Sequence, residues 1–70
     1  MSTHEPPDPI ELAKAFGVPQ TAFALRLHVT PDWARRLAAD PRHRRRVLVA
    51  VLEAALEKER LAHLFERFGR

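Results

Sequence analysis

Residues 20–39 read QTAFALRL-HVT-PDWARRLAA, and this stretch decides the fold. Two segments with apolar residues at helical spacing flank three residues, and the second segment opens on Thr30-Pro31. A threonine at the N-cap accepts a hydrogen bond from a free backbone N–H. Proline at the first helical position loses nothing there, because its N–H would be unpaired anyway. The same punctuation recurs outward in both directions, as Asp8-Pro9 and Asp40-Pro41. Glu11 stands three residues after Asp8, as in a capping box. Gly17, the residue preferred just past a helix end, precedes a further break at Val18-Pro19. These signals predict helices over about 9–16, 19–27, 31–39 and from 41 onward. No strand signal competes, since Val47, Val49 and Val51 lie within a long helix-forming stretch. The expected fold is all-α, a compact domain of four to five helices with a long C-terminal helix.

Each segment has a side to bury. The first offers Ile10, Leu12, Ala13 and Phe16; the second Ala22, Phe23, Ala24 and Leu27; the third Trp33, Ala34, Leu37 and Ala38. In the last, Val47, Leu48, Val51, Leu52, Ala55 and Leu56 occupy more than one face, which predicts cover from several sides. Val47, Val51, Ala54, Lys58, Leu61, Phe65 and Phe68 also trace a stripe at spacings of three and four. The chain from Arg42 to Phe68 is then one long helix, or two if the charged EKER at 57–60 marks a joint; the spacing fits both.

The chain has 70 residues, 46% hydrophobic and 30% charged, enough for one small domain. At this size only about 60% of the unfolded surface is buried, so the core is thin. There is no cysteine, which excludes disulfides, zinc–thiolate sites and iron–sulfur clusters. The four histidines lack ligand spacing, and no metal or cofactor is expected. The two glycines build no phosphate loop, and the single serine and scattered acids build no catalytic triad or carboxylate pair, so the expectation is a protein that is not an enzyme. The longest apolar run, Val47 to Leu52, falls far short of the roughly 20 residues of a membrane span. The opening MSTHEPPDP is acidic and proline-rich, unlike a signal or transit peptide, and the expected compartment is the cytoplasm.

Charge is uneven. Residues 14–46 hold eight basic residues against Asp32 and Asp40, while 1–13 hold acids alone and 47–70 balance four against four. A local positive field of this kind faces a polyanion. Two short helices joined by three residues describe a helix-turn-helix, whose second helix enters the DNA major groove. Ala24 stands where the helices would cross, a place that admits only a small side chain.

At these residues the sequence resembles the lambda-repressor-like (Cro/xenobiotic-response-element type) DNA-binding family. The resemblance covers about residues 10–56. GVPQ at 17–20 resembles the family's G-[LI]-[ST]-Q entry to its second helix, LRLHVT at 25–30 its L-G-V-[ST] turn, and RVLVAVLEAAL at 46–56 its fourth helix. It implies that Gln20 touches a phosphate and braces the recognition helix, and that Thr30, Asp32, Trp33, Arg35 and Arg36 face the groove or its walls. Arginine is the commonest reader of guanine, so Arg35 or Arg36 is the expected base contact. His28 stands where the family has a turn glycine in left-handed backbone, and Pro31 and Trp33 depart from the usual recognition helix. A rival register, ELAKAF-GVP-QTAFALRL at 11–27, resembles winged or MerR-like domains and would make Gln20, Thr21 and Arg26 the reading surface. It offers one arginine against two and has no later strands for a wing.

The run RHRRR at 42–46 places cations where a helix N-terminus disfavours them, by roughly 0.3–1 kcal/mol each at an exposed site. Arg42, Arg44, Arg45 and Arg46 would offset that by gripping phosphates, which fixes position without reading sequence; the alternative is a solvated face that keeps the protein soluble. Trp33 reads equally as core, and Phe65 and Phe68 either dock a partner or pack on the first helix.

The expected organisation is a flexible acidic N-terminus over 1–8, a DNA-binding domain over 9–56 and a helical extension over 57–70 that dimerises through Leu56, Leu61, Leu64, Phe65 and Phe68. The expected function is a transcriptional regulator, a repressor of bacterial or phage origin, binding double-stranded DNA as a homodimer. The alternative is a small protein-interaction module, an adaptor, antitoxin or phage inhibitor, whose arginine face meets an acidic protein partner.

Overall fold

Four helices form close to the places the caps mark: α1 (Pro9–Phe16), α2 (Gln20–Leu27), α3 (Pro31–Ala39) and α4 (Arg44–Phe68). The computed structural model describes residues 7–68, and among them there is no strand. Most of the acidic stretch expected over 1–8 lies outside the described residues, as do the last two residues of the C-terminal extension. Asp8 itself caps α1, its carboxylate accepting from the Ile10 N–H at 3.0 Å. Thr30 caps α3 in the same way, accepting from the Trp33 N–H at 3.2 Å. Pro19 is the N-cap of α2 and not its first helical residue.

The first two helices end alike. After α1, Gly17 is left-handed (φ 69°), its N–H bonds the Lys14 carbonyl and the Val18 N–H reaches back to Ala13. After α2, His28 takes the same conformation (φ 61°), with His28 bonded to Leu25 and Val29 to Ala24. Both are Schellman endings, which turn the chain while satisfying carbonyls the helix leaves free.

The start of α4 departs from expectation. Asp40-Pro41 does not cap a helix from residue 41. The Asp40 carboxylate accepts from the Arg42 N–H at 3.0 Å, and the Asp40 carbonyl accepts from the His43 N–H at 2.9 Å. These bonds close a turn over 40–43 and delay the helix to Arg44. Three arginines, not four, therefore stand in its first turn. From there α4 runs unbroken for 25 residues through the charged EKER segment, so 57–60 is no joint.

The core is built from Phe23, Ala24 and Leu27 of α2, Ala34 and Ala38 of α3, and Val47, Ala50, Val51 and Ala54 of α4, closed by Ala13 and Val18. So many alanines let backbones approach closely, and Ala24 and Ala34 are both almost fully buried where α2 meets α3. Helices α1, α2 and α3 all pack on α4, and α2 packs on α3, while α1 and α2 touch at little more than their shared corner. The expected cover of α4 from several sides is absent. All three shorter helices lie on the Val47–Val51 side, which leaves Leu52 at 44% and Leu56 at 67% exposed. Phe16 and Trp33, expected in the core, are half exposed as well. No helix among the described residues is long and apolar enough to cross a membrane.

Lys58 interrupts the apolar stripe of α4 for a visible reason. Its ammonium donates to the Gly17 carbonyl at 2.9 Å, closing the end of α1 with a cation where the helix dipole favours one. Beyond Lys58 every residue of α4 up to Phe68 is exposed. The last ten residues, about 15 Å of helix, overhang the bundle.

Candidate nucleic-acid interface

Helix α3 is the shortest route from sequence to a charged surface. At 3.6 residues per turn Ala34 and Ala38 point inward with Leu37 beside them, which leaves Asp32, Arg35, Arg36 and Ala39 on the outer arc. Asp32, Arg35 and Arg36 line a shallow open depression there. Ala39, one turn beyond Arg35, is an outward position the sequence reading omits, although the same periodicity marks it. Trp33 sits at the edge of this arc, 49% exposed, with the Arg36 guanidinium 5.7 Å from its ring centroid. That stacking holds Arg36 against the indole face. Thr30 spends its hydroxyl on capping α3.

Gln20 reaches from the first turn of α2 to the first residue of α3. Its side-chain N–H donates to the Pro31 carbonyl at 2.9 Å. The bracing part of its expected role is therefore visible as geometry, and it ties the entry of α3 to α2 across the turn.

The basic residues divide into held and unheld. Arg26 faces α4, with its guanidinium 3.7 Å from Glu53 and 3.5 Å from Glu57. Arg42 lies 3.6 Å from Asp40, across the turn that starts α4. Among the described residues, Arg35, Arg36, Arg44, Arg45 and Arg46 make no ion pair. Arg44 is half-buried beside Pro41 and Leu48, and its Nε is buried without a hydrogen-bond partner. Arg45 and Arg46 are exposed.

The rival register fares differently. Of its three reading residues, Arg26 is turned onto α4 and Gln20 onto Pro31. Its two helices, α1 and α2, scarcely touch, whereas α2 and α3 pack closely. The residues expected to dimerise are brought to one end of the molecule: Leu56, Leu61, Leu64, Phe65 and Phe68 are all exposed on the distal part of α4, and neither phenylalanine packs on α1. No protein family, no curated protein and no solved structure matches the chain.

Proposed function

We propose that this chain is a transcriptional regulator that binds double-stranded DNA as a homodimer, with α3 entering the major groove and acting by occlusion of its site. The observation that supports this reading is the division of the arginines. Arg26 is spent within the fold, while Arg35 and Arg36 stand on the outer arc of α3 without an acidic partner in ion-pair range. In this reading Arg35 or Arg36 contacts guanine, Trp33 and Asp32 line the approach, and Gln20 and Thr30 fix the position of α3. Arg44, Arg45, Arg46 and Arg42 meet the phosphate backbone.

The test is fluorescence anisotropy of a labelled random duplex titrated at several salt concentrations. Binding should weaken steeply with salt, with a log–log slope of about −0.9 per neutralised phosphate. After site selection, Arg35→Ala or Arg36→Ala should reduce preference for the selected site by about 1–3 kcal/mol. Neutralising Arg44 and Arg45 should weaken all duplexes equally and flatten the salt slope. A folded protein that fails to bind at low salt overturns the reading and turns the arginine face toward an acidic protein partner.

A further inference from the structure

The overhang of α4 is a continuation of the core face without its cover. Val47, Ala50, Val51 and Ala54 are buried under α1–α3, and Leu61, Phe65 and Phe68 follow them at helical spacing on the same side. Phe65 is 72% exposed and Phe68 75%, with Leu61 and Leu64 at 44% each. The corner of α1 and α2 lies at the inner end of this stripe, held by Lys58 through the Gly17 carbonyl. On each side of Lys58 an apolar groove opens. One, of about 510 Å³, is lined by Phe16, Leu52, Ala55, Leu56 and Ala62; the other, of about 380 Å³, runs between Leu25 and Leu61. In outline the chain is an L, with the bundle as one arm and the overhang as the other.

We infer that a second copy of this chain covers the overhang, running antiparallel, so that the tip of each α4 seats against the α1–α2 corner of the other. Two observations lead to this arrangement. The first is area. Two phenylalanines so exposed present on the order of 300 Å², while a stable dimer buries about 800 Å² per partner. The overhang alone falls short, and only contact with the corner, where Leu25 is 75% and Leu56 67% exposed, makes up the difference.

The second is steric. In each chain the bundle and the apolar stripe share one face of α4. A parallel partner would bring its bundle onto the same ground as the first, whereas an antiparallel partner places the two bundles at opposite ends. With Leu61 opposite the partner's Leu64, Phe68 of each chain lies level with the partner's Glu57, beside the α1–α2 corner that Lys58 holds. The contact is isologous and closes on itself, so it ends at two copies.

This deepens the homodimer of the proposed regulator, but it needs no DNA and is tested without it. Sedimentation of the full chain at micromolar concentration should give a dimer. Phe65→Glu/Phe68→Glu should raise the dimer dissociation constant by about 100-fold or more, and Phe65→Leu/Phe68→Leu should keep the dimer. The chain has no cysteine, so a single Val49→Cys on the exposed side of α4 takes one spin label. The antiparallel arrangement puts the two labels about 40 Å apart along the helices, at 1.5 Å per residue.

A monomer overturns the inference, as does a dimer indifferent to the glutamates or a label separation below about 25 Å, which marks parallel helices. A monomer that binds duplex DNA overturns it while leaving the regulator reading in place. A dimer of the expected geometry without affinity for DNA does the reverse.

Discussion

The two halves of α4 carry the same apolar spacing and meet opposite fates. From Val47 to Ala54 every third or fourth side chain is buried under the shorter helices; from Leu61 to Phe68 the same pattern continues into open surface. The spacing of apolar side chains does not distinguish them, although the buried half uses Val and Ala and the exposed half Leu and Phe. The difference lies in how far α1 and α2 reach, and that ends at Gly17, where Lys58 marks the boundary with a hydrogen bond. Helical periodicity reports which side of a helix wants cover, and it is silent on whether the cover comes from the same chain. The proximal half is buried by folding alone, whereas the distal half is exposed and would need a second molecule to bury it.

The largest expected effect exploits that contrast directly. Phe23 is 1% exposed and packs into the proximal core, so Phe23→Ala should cost about 3–5 kcal/mol. In a domain with so thin a core that removes most of the stability, and the thermal melt should broaden or vanish. Phe65→Ala deletes the same atoms from the distal half. At concentrations low enough to keep the chain monomeric, it should change stability by no more than about 0.5 kcal/mol. Equal losses at the two positions would mean that the overhang folds back onto the bundle in solution.

A smaller effect tests the boundary itself by comparing the two left-handed turns. At Gly17 a Cβ would lie 2.8 Å from the Lys58 ammonium, in a backbone conformation with φ at +69°. The lysine must then swing off the Gly17 carbonyl, and the alanine must bear the left-handed conformation, which costs roughly 1–2 kcal/mol. Gly17→Ala should therefore destabilise by about 2 kcal/mol in chemical denaturation. His28 already bears that conformation in the matching turn after α2. His28→Gly should relieve it and stabilise by about 0.5–1 kcal/mol, less than the full conformational term because glycine also loosens the unfolded chain. Opposite signs at two turns of the same geometry would isolate the cost of a side chain there.

These residues also show how much was legible beforehand. Capping side chains before prolines placed the starts of α1 and α3, because N-cap chemistry is local and needs no tertiary context. Asp40-Pro41 makes the same side-chain bond to the residue two on, but the Asp40 carbonyl accepts from His43, three residues on, where the Asp8 carbonyl accepts from Leu12, four on, and so it closes a turn and not a helix. Ala24 announced the α2–α3 contact by its size. Phe16 and Leu56 misled, because an apolar residue at helical spacing looks the same whether it faces a neighbour or a groove. Arg35 and Arg36 were named by the resemblance, and their outward place on α3 is the one helical periodicity gives. The inward turn of Arg26 could not be named from sequence, because it depends on Glu53 and Glu57, which lie more than 25 residues away in the chain.

The smallest effect concerns the entry to α4, the end opposite the overhang. Asp40 is held below the ordinary carboxylate pKa, chiefly by the hydrogen bond it accepts from the Arg42 backbone N–H, with the Arg42 charge and His43 adding to it. A carboxylate whose pKa falls on folding stabilises the native state above its unfolded pKa, and that contribution is lost as pH falls through the folded value. Acidifying from about pH 5 should thus remove a small part of the stability of the 40–43 turn. Asp40→Asn keeps an oxygen that can accept from the Arg42 N–H but has no charge to titrate. The melting temperatures of the two proteins should lie furthest apart near neutral pH and converge in acid. The other carboxylates titrate in both chains and cancel in the difference. Parallel curves would show that the charge of Asp40 does nothing for the turn, and that its backbone bond alone starts α4 where the arginines begin.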